Sequence, residues 1–256
     1  MTLFASSIPQ VSIGPETLFK IGSYNFTNAQ LLGLVGMLII LSLGFGAVKA
    51  IRKNSRSRFR YAASWMVESL YDTTVEVVGD RAVARKVFPL AFTLFIFFLV
   101  NNWLELLPIL DAVKVHGHSL IRGAAADMNT TFALAFLSIG TAQAWAIKKR
   151  GFIGNLKRYF VSPFKDPLHS FEGFLEIIAE FSRTLAMSLR IFGNVFGGEV
   201  LLAVIAYLSS WAAPVALPAF YVLELFVGAV QAYVFYMLTI AFISLGLPEK
   251  ETSEAH

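Results

Sequence analysis

Residues 169–208 read HSFEGFLEIIAEFSRTLAMSLRIFGNVFGGEVLLAVIAYL. This stretch is apolar or small-residue almost throughout, with Glu176, Arg183, Arg190 and Glu199 set into it. As a helix rising 1.5 Å per residue it extends about 60 Å, against about 30 Å of bilayer hydrocarbon. Either part of it lies outside the membrane or the helix is steeply tilted. A charge at the centre of a membrane helix costs at least about 2.5–3.5 kcal/mol, so charges kept there are functional candidates.

The rest of the chain has the same character. Apolar runs over 29–48, 88–107, 129–147 and 219–245 join the run over 168–208 as expected membrane crossings. Residues 59–79 mix Trp65, Met66 and Leu70 with Glu68, Asp72 and Glu76, the pattern of an amphipathic helix on the membrane surface. Pro214 and Pro218 are expected to make the turn between the last two crossings, both longer than a perpendicular span requires. The predicted fold is therefore an all-α integral membrane protein. An outer segment over 1–28 precedes a single membrane domain over 29–247, and a polar tail covers 248–256.

Composition agrees. Hydrophobic residues make up 56% and charged residues 15%, where a soluble domain carries roughly 45–50% and about 25%. With no cysteine, disulfides, thiolate metal sites and thiol catalysis are excluded. The N-terminus lacks a basic stretch followed by a short apolar run and cleavage site, so targeting is expected to fall to the first crossing. Basic residues cluster after the first crossing (Lys49, Arg52, Lys53, Arg56, Arg58, Arg60) and after the third (Lys148, Lys149, Arg150, Lys157, Arg158, Lys165). The intervening outer loop carries only Lys114 and Arg122. This alternation puts the basic loops and the C-terminus in the cytoplasm and the N-terminus outside. It also explains the net charge of +4 without nucleic acid.

Glu176, Arg183 and Arg190 recur every seven residues and Asn194 follows four later, which lines them along one helix stripe. Glu199 falls half a turn round. Glu172, Glu176, Glu180 and Arg183 also fit the interfacial start of a helix. Arg190 does not, because long apolar flanks leave a snorkelling side chain no exit. Gly193, Gly197 and Gly198 allow close helix approach, from a partner chain or from within this one. On the last crossing Glu224 and Gln231 stand seven apart on one face. An acid there can exchange a proton and the amide can both donate and accept. Interhelical hydrogen bonding is the alternative role.

The stretches SLRIFGNVFGGE (188–199) and VGAVQAYVFYMLTIAFIS (227–244) closely resemble the a subunit of F-type ATP synthases, the stator half of a rotary ion motor. NNWLELLP (101–108) and AADMN (125–129) are similar to the polar end of that family's second span and the opening of its third. The resemblance implies that Arg190 is the essential arginine facing a ring of c subunits. Asn194, Glu199, Glu224 and Gln231 then line two offset half-channels, with Glu176 and Arg183 on the same path. Asn102, Glu105, Asp127 and Asn129 fall near the outer mouth. Histidine replaces Glu224 in some relatives and Glu199 in others, so the order of proton hops is open. The resemblance further implies protons or sodium ions as the transported species and peripheral-stalk b subunits as partners. It implies no cofactor, and a non-catalytic role within a complex that as a whole makes ATP. A bacterial plasma membrane is expected, with an energy-transducing organelle membrane as the alternative.

His116 and His118 form an H-x-H in the outer loop, but such a pair without further ligands is usually solvated, and no metal site is expected. Asn25–Thr27 and Asn129–Thr131 fit the short glycosylation pattern, although Asn129 or Thr130 is a better candidate for a helix cap. No phosphate-binding glycine loop occurs. A stand-alone secondary transporter is the rival reading, but such folds are built on internal repeats and none is visible.

Overall fold

The computed structural model describes residues 14, 17–22, 24–53, 57–107, 114–115, 118–119, 122–159, 167–209 and 212–247. Residues 1–13, His116, Pro163 and the tail from Pro248 thus lie outside the described residues, so of the H-x-H pair only the backbone of His118 is described. Among the described residues, two short antiparallel hairpins accompany seven α-helices and a 3-10 turn over Ala124–Ala126. Strands β1 (Thr17–Ile21) and β2 (Tyr24–Thr27) turn at Gly22, and β3 (Lys114–Val115) pairs with β4 (His118–Ser119). The helices are α1 (Asn28–Arg52), α2 (Arg58–Val78), α3 (Arg81–Glu105), α4 (Met128–Arg150), α5 (Phe152–Tyr159), α6 (Pro167–Ser209) and α7 (Ala213–Gly246).

Local chemistry sets the helix ends. Thr27 and Gln30 form a reciprocal capping box at the start of α1. Gly79 closes α2 in the left-handed region at φ 71°, where a side chain is strained. Asp80 then opens α3 by accepting from Ala82 N at 2.8 Å. Helix α3 begins seven residues before the expected crossing, because Arg81, Arg85 and Lys86 extend it beyond the apolar run. Pro214 and Pro218 do not make the turn between the last crossings; both lie within α7. Pro214, in the first turn, loses nothing, since the N–H it lacks has no helical partner there, whereas Pro218 lies inside the helix and forgoes one helical hydrogen bond.

Five helices (α1, α3, α4, α6 and α7) are long and apolar enough to cross a membrane, so the chain is a multi-pass all-α membrane protein. Helices α6 and α7 have 43 and 34 residues, or about 64 and 51 Å of axis. The core gathers Val87, Ala91, Leu94, Phe95 and Phe98 of α3 with Phe235, Tyr236, Ile240 and Ile243 of α7. Met187, Ile191 and Val195 of α6 complete it. The Phe98 and Phe235 rings pack at 4.5 Å between centroids, tilted 54° to each other.

Hydroxyl pairs tie the helices where apolar burial against lipid supplies little driving force. Thr131 bonds Ser188 at 3.0 Å and Ser138 bonds Thr239 at 2.9 Å. The surface helix α2 is held to α7 by Thr74 on Tyr236 at 2.5 Å, by the Tyr236 hydroxyl donating to the Leu70 carbonyl, and by Ser244 donating to the Val77 carbonyl at 3.0 Å.

A candidate ion path along the two longest helices

Helix α6 divides into two faces. Thr184, Met187, Ser188, Ile191 and Val195 are buried against the bundle. Ala186, Leu189, Arg190, Gly193 and Gly197 form the opposite, open face. Nothing lies within 4 Å of where a Cβ would sit on Gly193 or Gly197, so the glycine step receives no helix of this chain. Of the two possibilities for that step, the internal contact is the one the fold does not make. Arg190 is exposed on the same face, and among the described residues no carboxylate pairs with it.

Polar clusters lie on either side of Arg190 along α6. Toward the helix start, Glu176 accepts an ion pair from Arg183 at 3.5 Å, and the Arg183 guanidinium lies 5.7 Å over the Phe242 ring. Beside them Glu180 accepts from Gln143 of α4 and from the Tyr159 hydroxyl of α5, while Asn155 donates to Gln143 at 3.3 Å. A small cleft of about 20 Å³ lies among Gln143, Glu180, Arg183, Phe242 and Leu245. The sequence reading missed this cluster. Gln143, an amide in an otherwise apolar crossing, was its one available signal; Tyr159 had none.

Toward the end of α6, Glu199 meets Arg122 at 3.7 Å, the arginine side chain being only 5% exposed. Arg122 also donates to the Gly14 carbonyl at 2.6 Å. The neighbouring residue, Gly198, gives room to Glu224: a Cβ there would stand 2.5 Å from the Glu224 Oε2. The fold therefore brings Glu224 of α7 to the level of Glu199. In the same way the Glu105 carboxyl fits against Gly123, 2.0 Å from where a Cβ would lie.

The remaining expected site residues have mixed placements. Asn102 donates to the Gly228 carbonyl at 3.2 Å, and the adjacent Trp103 donates to the Leu225 carbonyl at 3.1 Å, which fastens the end of α3 to α7. The cap of α4 is Asp127, not Asn129 or Thr130. Asp127 accepts from Asn129 N at 3.0 Å and Nδ2 at 3.2 Å, and from the Thr130 hydroxyl at 3.4 Å. Aspartate wins because its carboxylate stands one residue before the helix, where it reaches the free N–H groups. Asn194 and Gln231 are half-buried, and neither hydrogen-bonds a described residue.

Five apolar crossings, the longest of them bearing charged groups, define a polytopic membrane protein. Residues 31–244 match the ATP synthase A chain family. An ATP synthase subunit a of Mycobacterium bovis is 37% identical over 191 residues, covering 69% of each chain. That of Mycobacterium marinum is 35% identical over 261 residues, covering 94% of this chain and 96% of the relative. That of Enterococcus hirae is 31% identical over 237 residues, covering 88% and 94%. The chain belongs to the ATP synthase A chain family.

Proposed function

We propose that this chain is the ion-conducting stator of a rotary ATP synthase, in which flow between two offset half-channels turns a ring of c subunits. The observation that carries this is the setting of Arg190, which among the described residues has no carboxylate partner and stands on an open, small-residue face with an acid-bearing cluster on either side. A permanently charged guanidinium so placed suits a carboxylate that arrives on another chain. The open Gly193–Gly197 face suits close approach of that second chain's helices.

The mechanism follows from the electrostatics. A ring carboxylate beside Arg190 is stabilised as the anion, so it releases its proton toward the Glu176–Arg183 side. Once past Arg190 it is reprotonated from the Glu199–Glu224 side, because a bare carboxylate is costly in lipid. Arg190 repels any cation leaking directly between the two sides. The excess length of α6 and α7 is taken up by tilt against the ring. Basic loops place the C-terminus in the cytoplasm of a bacterial plasma membrane. Peripheral-stalk b subunits hold the chain still, nucleotide chemistry belongs to other subunits, and the ring's own site selects H⁺ or Na⁺.

The test is ATP-driven pumping by inverted vesicles that contain the whole complex. Arg190→Ala abolishes pumping while the detached head still hydrolyses ATP. Arg190→Lys also fails, because lysine lacks the planar fork and can lose its proton when buried. Native pumping by either variant sinks the proposal.

A further inference from the structure

We propose that the outward side of α4 holds a site for one anionic phospholipid, with an acyl chain in a groove over Gly140 and Ala144 and the headgroup on Lys148 and Lys149. The site faces away from the stripe of Ala135, Ser138, Ala142 and Ala146 that α4 buries in the bundle, and it lies outside the proposed ion path.

The groove, of about 440 Å³, runs from Phe136 and Leu137 past Gly140 and Ala144 to Trp145 and Lys148. Small residues make its floor, and nothing lies within 4 Å of where a Cβ would sit on Gly140. Phe136, 62% exposed, stands at one end. Trp145, packed in part against the core, fixes the other. Thr141 turns its hydroxyl back to the Leu137 carbonyl at 2.7 Å, so the wall spends its donor within the helix and suits a hydrocarbon chain. From Phe136 to Lys148 the helix rises about 18 Å, close to the roughly 15 Å of hydrocarbon in one leaflet.

The charged end selects the lipid. Lys148 and Lys149 are exposed, and among the described residues neither pairs with a carboxylate. The Lys148 Nζ lies 5.4 Å from the centroid of the Trp145 ring, which holds the ammonium at the groove mouth. Arg150 is engaged elsewhere, donating to the Leu247 carbonyl at 3.0 Å. Tryptophan favours the membrane–water interface. Directly past Gly151, α5 exposes Phe152 and Ile153, as a helix lying in that interface does. The two lysines therefore stand at headgroup level. A helix of another subunit laid over Gly140 and Ala144 would cover Lys148 and would have to bring an acid for it, because a charge stranded between membrane helices is costly. A phospholipid brings its own phosphate, and a headgroup with net negative charge answers a pair of lysines better than a zwitterion does.

The test places the complete complex in phosphatidylcholine vesicles containing a small fraction of a phospholipid with a photoactivatable acyl chain. Adducts are mapped by mass spectrometry of peptides. A phosphatidylglycerol probe is expected to label residues 136–148 about fivefold or more above a phosphatidylcholine probe with the same chain. Lys148→Gln with Lys149→Gln should erase that preference and leave labelling by the phosphatidylcholine probe unchanged, which a displaced helix would not. Gly140→Leu with Ala144→Leu should fill the groove and cut phosphatidylglycerol labelling by about fivefold or more. Equal labelling of the native complex by the two probes overturns the proposal, and so does a preference that survives loss of both lysines. Adducts elsewhere on this chain but none on α4 also overturn it, since another subunit then covers the groove. If the leucine variant does not assemble, the lysine variant alone decides.

Discussion

At Gly198 the absence of a side chain has a chemical purpose. The Glu224 carboxyl occupies the space that a Cβ would need, 2.5 Å from Oε2, so residue size at this position sets how near the two acids of α6 and α7 stand. Gly198→Ala should cost the fold little, because the far end of a flexible glutamate side chain can move by the roughly 1 Å that a 2.5 Å approach demands. Gly198→Leu pushes the carboxyl away altogether, and pumping should fall by about tenfold, since a misplacement of about 1 Å in proton-transfer geometry can cost far more. The check is vesicle pumping at equal chain content, with native rates in Gly198→Leu counting against Glu224 as a proton carrier. Asp127 is a different kind of residue. Its cap on α4 predicts that Asp127→Ala lowers stability by about 1 kcal/mol, readable as a lower unfolding midpoint in detergent.

Among the elements, α2 shows how a helix that crosses nothing still shapes the path. Its amphipathic pattern explains why it lies on a surface, and the hydroxyl of Tyr236 explains where it docks. Tyr236 is fully buried, and it joins Thr74 and the Leu70 carbonyl to the helix that carries Glu224 and Gln231. Tyr236→Phe removes the link between the helices while Thr74 still donates to the Leu70 carbonyl at 3.0 Å, and should destabilise the chain by about 0.5–1.5 kcal/mol. Faster proteolysis of the segment between α1 and α2 in Tyr236→Phe than in native vesicles would show the strap loosening. An unchanged unfolding midpoint and unchanged cleavage would show that α2 is held by apolar packing alone.

Over the whole molecule, exposure is distributed in a way lipid alone does not require. Leu38 at 64% and Phe45 at 75% on α1 are ordinary lipid-facing side chains. The α6 face bearing Arg190, Gly193 and Gly197 is different, being small, open and charged at one point. Because nothing in this chain fills it, Gly193→Leu with Gly197→Leu should leave the fold intact while blocking the approach of a second chain. The expected outcome is an unfolding midpoint within about 1 kcal/mol of native, as for surface substitutions, with c subunits lost on co-purification. Full retention of the c ring by that double variant would place the ring on another face.

Much of this protein is determined by sequence alone, because the relevant physics is local. Hydrocarbon thickness demands long apolar runs, so the crossings at α1, α4 and α6 are legible as composition, and the cost of a buried charge singles out Arg190, Glu199 and Glu224 wherever they fold. Helix ends were less legible: the start of α3 and the place of Pro214 in α7 follow from capping and first-turn geometry, which apolar runs do not report, and Pro218 is carried inside α7. Tertiary structure alone decided which side chains meet. Arg122, a single loop charge in the sequence, becomes the partner of Glu199 only because the segment before α4 folds back onto the end of α6. Gln143 and Tyr159 reach Glu180 only because α4, α5 and α6 converge. Contacts of that kind join residues far apart in the chain, and they depend on how whole helices pack, which no local pattern encodes.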